Sequence, residues 1–278
     1  ALKRLPQADW ARAELLDISL SLGAWDDAEK ALERMIRKDE LSAKDARHQR
    51  AVIKLLRAHE AEGRKEARLA ARLADEALDF DSALAPARAL RARLYRQAGK
   101  TRRAIKTLKE GWSRAPHPLL AEEWMDLHPE ESHTQRYKSL QGLTDTNPTH
   151  AESHAVLTRY ALEAGLNGGA RRHAEALKER EPSERAFDLL AQVEEAEGHI
   201  AAAEDARRRR ADAEEDPAWR CSRCGHEEED WSERCGGCGS FATIEWVRQE
   251  PQHFAPGSGP AKPGPSRAKA DTASPGSG

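Results

Sequence analysis

Gly99-Lys-Thr-Arg-Arg-Ala104-Ile-Lys-Thr-Leu108-Lys-Glu-Gly111-Trp-Ser-Arg-Ala-Pro116 and Gly165-Leu-Asn-Gly-Gly-Ala170-Arg-Arg-His-Ala174-Glu-Ala-Leu177-Lys-Glu-Arg-Glu-Pro182 carry five markers at identical spacing. A glycine is followed after five positions by alanine, then by small or apolar residues four and three further on, then by proline five beyond. Gly23, Ala28, Leu32 and Met35 repeat the pattern without the proline, and Gly198 with Ala203 opens a weaker copy. Each marker has a mechanical reason. Glycine closes a first helix, alanine lets two helices approach at their crossing, and proline stops the second helix because it has no N–H to donate.

Pro116, Pro148, Pro182 and Pro217 are separated by 32, 34 and 35 residues. A period near 34 built from helix pairs resembles the tetratricopeptide repeat. The 66 residues between Gly99 and Gly165 leave room for one degenerate unit. Ala43 to Leu78 reads as a longer helix pair hinged at Gly63, and Thr149-x-x-Glu152 has the form of a capping box. The predicted fold class is therefore all-α, a tetratricopeptide-like solenoid over residues 1–215 that leaves a groove open to protein partners. Composition agrees: 33% of the 278 residues are charged, only 5% are aromatic, and the net charge is −3 with both signs interspersed. That balance gives no global attraction to nucleic acid or to a membrane surface.

Residues 216–250 differ. Cys221-Ser-Arg-Cys224-Gly and Cys235-Gly-Gly-Cys238-Gly hold all four cysteines of the chain within eighteen residues. Two Cys-x-x-Cys turns joined by a short loop match a tetrahedral four-thiolate site, so Cys221, Cys224, Cys235 and Cys238 are read as metal ligands. Structural Zn²⁺ suits them best. A rubredoxin-like iron site and a pair of disulfides remain open, the latter giving no reason for two matched spacings each followed by glycine. Trp219, Trp231, Phe241 and Trp246 are the expected apolar cover, and Arg220, Arg223 and Arg234 the expected counter-charges. With four sulfurs engaged, no coordination position remains for catalysis. The ribbon's tryptophans are expected to pack on the last helix around Ala203 to Arg210. Residues 251–278 contain six Pro, five Gly and four Ser and are expected to be disordered.

Other constellations read as structural. His150 and His154 share one helical face, but Glu152 does not follow the first histidine as a zinc-protease helix requires. Arg207 to Arg210 is flanked by Asp205, Glu214 and Glu215 and reads as a solvated helix end or a brace against the ribbon. His117, between two prolines, reads as a turn residue. Phosphate loops, nucleophile elbows and dinucleotide fingerprints are absent from the sequence, and a non-enzymatic protein is predicted.

Five phrases narrow the field: Trp112-Ser-Arg-Ala-Pro-His-Pro118, Asn147-Pro-Thr-His-Ala-Glu-Ser153, Asp216-Pro-Ala-Trp219-Arg-Cys221, Trp231-Ser-Glu-Arg-Cys235 and Phe241-Ala-Thr-Ile-Glu-Trp246. Together they resemble the alphaproteobacterial HemY family, over roughly residues 10 to 250. One departure is Gly236, where that family usually has proline after the third cysteine. The resemblance implies a scaffold in haem and porphyrin biosynthesis, held at the cytoplasmic face of the inner membrane by an anchor preceding this segment. Its implied partners are late pathway enzymes such as ferrochelatase. A second resemblance is to LapB, a membrane-anchored repeat adaptor in lipopolysaccharide control with a rubredoxin-like ribbon. An iron-binding electron-transfer or haem-sensing protein is the rival from another class.

Overall fold

The computed structural model describes residues 9–127 and 129–248. Twelve helices come first among these: α1 (Asp9–Ser21), α2 (Trp25–Arg37), α3 (Ala43–Gly63), α4 (Ala67–Phe80), α5 (Ala85–Gln97), α6 (Thr101–Arg114), α7 (Pro118–Met125), α8 (His133–Thr144), α9 (Ala151–Glu163), α10 (Asn167–Arg180), α11 (Glu184–Ala196) and α12 (Ile200–Arg210). Three short strands follow: β1 (Ala218–Cys221), β2 (Glu227–Glu228) and β3 (Ile244–Val247). The expected all-α solenoid is what the chain forms. First helices begin 34, 42, 33, 33 and 33 residues apart, and the one long interval reflects an α3 of 21 residues where α1, α5, α9 and α11 have 13. None of the described helices is long and apolar enough to cross a membrane.

The repeat markers sit where the mechanical argument puts them. Gly23, Gly99, Gly165 and Gly198 all lie just beyond first helices with φ between 65° and 82°. Ala104, Leu108, Ala170, Ala174 and Leu177 are fully buried. At Gly111 the approach is closer still, since a Cβ there would lie 2.9 Å from Arg88 Cγ and from Leu120 Cδ1. The degenerate unit is the α7–α8 pair, whose first helix has only eight residues. Its Trp124 and Met125 nevertheless enter the central core with Leu140 and Leu143.

The long pair turns at Gly63 as expected, where α3 ends, and Lys65 takes the left-handed conformation in the turn (φ 62°). One local expectation changes. The start of α9 is capped by His150, whose Nδ1 accepts the Glu152 N–H at 3.1 Å, instead of by a Thr149–Glu152 capping box. Glu152 is buried and accepts from Arg185 at 2.6 Å, so its carboxylate cannot reach back to the cap. His150 thus stands outside the helix as its cap, and His154 Nδ1 lies 3.2 Å from His173 Nδ1.

The ribbon is a three-stranded antiparallel sheet in the order β2-β1-β3, with Trp219 opposite Trp246 and Cys221 opposite Ile244. It does not sit on the last helix. There Ala203 and Ala206 pack on Leu190 and Ala191 of α11. Arg207 and Arg210 pair with Glu195, Glu184 and Asp188, and Arg208 and Arg209 with Asp205. The reason lies in residues 214–216. Glu214 exchanges backbone hydrogen bonds with Pro182 and Glu184, and Asp216 accepts the Arg185 N–H at 3.0 Å. These bonds turn the chain back over the start of α11 and onto the face built from first helices. There Phe241 joins Leu16, Leu20, Val52 and Ile53, and Trp231 touches the same cluster. Arg234 reaches Asp17 at 3.1 Å across 217 residues of sequence.

Candidate metal centre and the cleft beside it

The four sulfur atoms converge, all within 4.8 Å of one another. Cys221 Sγ lies 3.7 Å from Cys238 Sγ and Cys224 Sγ lies 3.6 Å from Cys235 Sγ. A disulfide needs about 2.05 Å. A tetrahedron with metal–sulfur bonds of about 2.3 Å has edges of about 3.8 Å, so the spacing fits a tetrathiolate ion.

Two similar turns produce this geometry. Gly225 and Gly239 adopt φ of 75° and 72°, and their amides donate to Cys221 O at 2.9 Å and Cys235 O at 2.8 Å. The left-handed step, cheap only without a Cβ, turns following amides toward sulfur. The Cys238 N–H approaches Cys235 Sγ at 3.4 Å, and the Thr243 and Ser240 hydroxyls lie 3.2 and 3.1 Å from Cys221 and Cys238. The Ser240 hydroxyl and backbone amide draw the Cys238 thiol down to about 6. At Cys224 the His226 amide pulls down, but burial and the neighbouring sulfurs prevail and push the thiol up to about 12. Four thiols this close cannot all ionise by themselves; a divalent cation is what lets them do so.

The expected counter-charges are used elsewhere. Arg220 pairs with Glu215 and Glu227, and Arg234 with Asp17 while lying over the Phe241 ring. The Arg223 guanidinium donates to Ser240 Oγ at 3.1 Å, beside Cys238. Gly236 acquires a reason: its amide donates to Glu228 Oε1 at 2.6 Å, a bond that a proline could not make.

The apolar cover holds a residue whose role the sequence did not disclose. Trp219 is buried with Ile244, Cys221 and Cys235, and Trp231 and Trp246 pack beside them. His117 lies against both Trp219 and Trp246, with centroids 4.8 and 4.6 Å away. Its Nδ1 accepts the Leu119 N–H and caps α7, so the neutral ring carries its proton on Nε2. Burial drives its pKa down to about 3. The Pro-His-Pro phrase was the available signal, read as a turn because nothing local announces a partner a hundred residues away.

Beside this contact, where β3 faces the repeat turns, runs a cleft of about 790 Å³. Phe80, Leu84, Pro86 and Trp246 give it apolar walls. Its His48 pairs with Asp81 through Nδ1 at 2.8 Å, and His48 Nε2 has no hydrogen-bonding partner among the described residues. A second acidic group, Glu194, Glu197 and His199, is an ion-pair brace. Arg171 donates to both carboxylates at 2.7 to 3.0 Å and holds Glu194 down at about 2.

No family model matches the chain. The "Probable magnetosome protein Mms48" of Magnetospirillum gryphiswaldense is 32% identical over 179 residues, covering 64% of this chain. The chain spans 40% of that relative's length. Among solved structures, MamA aligns over 56% of this chain and 92% of its own, at 16% identity and a TM-score of 0.37. YrrB, described as a TPR protein with an unusual peptide-binding site, aligns over 66% and 93%, at 17% identity and a TM-score of 0.35.

Proposed function

We propose that the chain is a non-catalytic interaction scaffold. Its ribbon, stapled by Zn²⁺ on Cys221, Cys224, Cys235 and Cys238, completes a binding surface on the repeats. The observation that carries this is the seat of the ribbon. Instead of hanging from the last helix as an independent module, it packs on first helices from α1 to α7 and leaves a lined cleft at the seam. Among the described residues of that cleft no nucleophile is paired with a base. The ion itself would supply folding free energy, on the order of 10 kcal/mol for such a site, and no open coordination position.

The process is read from the HemY resemblance: a scaffold that gathers late haem-pathway enzymes, ferrochelatase first among them, at the cytoplasmic face of an inner membrane. The Mms48 similarity favours a second reading, a scaffold associated with a magnetosome. Affinity capture of the tagged full protein from native membranes tests the two. Reciprocal capture with ferrochelatase, lost when Trp219 and Trp246 are replaced, is the expected result. Capture of magnetosome proteins without haem enzymes would move the assignment to the second reading.

A further inference from the structure

The cleft has a hydrogen-bonding wall that the fold leaves unused. β3 is an edge strand, bonded to β1 on one side only. Ser222 N donates to Thr243 O at 2.8 Å, which fixes the alternation: residues 243, 245 and 247 turn their amides and carbonyls toward β1. Those of Ile244 and Trp246 therefore point away, and neither residue makes another backbone hydrogen bond among the described residues. Ile244, Glu245, Trp246 and Val247 all line the cleft.

The lining as a whole carries a surplus of positive charge. Each lining carboxylate has a partner: Asp81 is hydrogen-bonded to His48, Glu152 is paired with Arg185, Glu181 with Arg185 and Arg248, and Glu245 with Lys44. Arg47, at the start of α3, and Arg114, in the last turn of α6, also line the cleft, are exposed, and have no carboxylate partner among the described residues.

We infer that the cleft takes an extended acidic peptide, which adds to β3 as a fourth strand and sets its carboxylates against Arg47 and Arg114. Unpaired amides and carbonyls on an edge supply register and affinity, and the charges and apolar walls select the sequence. This deepens the scaffold reading by naming the chemistry of the partner segment, and it rests on that reading.

The test uses the zinc-loaded full chain and a displayed library of random eight-residue peptides. Enriched peptides are expected to alternate Asp or Glu with apolar residues. Their affinity should fall at least tenfold in Arg47→Glu or Arg114→Glu, and fall again with added salt. Methylating alternate backbone nitrogens of the peptide should abolish binding, and hydrogen exchange at the amides of Ile244 and Trp246 should slow when peptide is added. Both arginines are exposed, so the variants should keep the wild-type melting temperature. Enrichment of basic or neutral peptides, indifference to both substitutions, or protection confined to the helices would overturn the inference. Equal competition by a synthetic peptide of residues 249–258 would assign the cleft to the chain's own C-terminal stretch and overturn it as well. Because no haem enzyme takes part, failure here is separable from failure of the ferrochelatase capture.

Discussion

The imidazole of His117 lies against the indole of Trp219 with ring centroids 4.8 Å apart and planes inclined by 36°. Trp246 closes the other side at 4.6 Å and 61°. One residue of a turn between repeats is thereby built into the core of the ribbon, and the two parts share a buried joint around a neutral imidazole.

Acid should open this joint. The folded-state pKa of His117 is depressed, by burial, to about 3, against about 6.5 for an unfolded histidine. Its contribution to stability is therefore fully present above about pH 6.5 and is lost as pH falls toward 3. Tryptophan fluorescence followed from pH 7 to 4 should report ribbon release in the wild type. His117→Asn, which retains a capping oxygen, should be weaker at pH 7 and less dependent on pH in this window. Equal pH dependence in both proteins would exclude His117 as the titrating group.

Purified protein should carry close to one Zn²⁺ per chain and be colourless. Cys224→Ser or Cys238→Ser should lose the ion and leave Trp231 more accessible to quencher. A red protein with one iron per chain would instead support the electron-transfer reading.

Loss of the ion should also be felt far along the chain. A ribbon seated on the last helix would protect only about residues 183–215. Since Phe241 packs with Leu16 and Leu20, and Arg234 bonds Asp17, Cys224→Ser should speed hydrogen exchange in α1 and at the starts of α3 and α7. Faster exchange confined to α11 and α12 would contradict the seat described above.

Ala104 and Ala170 are completely buried at helix crossings. Replacing either by Phe should cost roughly 1–3 kcal/mol or more by overpacking, read as a lower denaturation midpoint. Unchanged melting of both would break the repeat register.

Arg185 ties Glu152, Glu181 and Asp216 together at the point where the chain turns toward the ribbon. Arg185→Met leaves the buried Glu152 without its ionic partner, a change worth about 3–5 kcal/mol. The loss should show both in thermal melting and as faster exchange at residues 214–217. Restoration of wild-type stability by a second change, Glu152→Gln, would identify the stranded charge as the cause.

Periodicity and chemistry that repeat within about 35 residues were legible in the chain itself. Glycine, alanine and proline at fixed offsets specify where helices stop and cross, because those effects are steric and local. Paired Cys-x-x-Cys-Gly turns likewise bring four sulfur atoms together, because each turn builds its half alone. The capping of α9 was misread even locally: Glu152, taken as a reciprocal cap, is claimed by Arg185 from the next repeat. The destination of the ribbon was beyond sequence. Trp219, Trp246 and Phe241 announce that they will be buried, since an exposed indole or phenyl ring is costly, yet apolar burial is non-directional and any apolar face would serve. The choice fell to residues that acquire meaning only in three dimensions: Glu214 and Asp216 anchored on α11, His117 raised at the tip of a turn, and Asp17 waiting 217 residues from Arg234. Hydrogen bonds and ion pairs are short and directional, so they select one docking among many that hydrophobicity alone would allow.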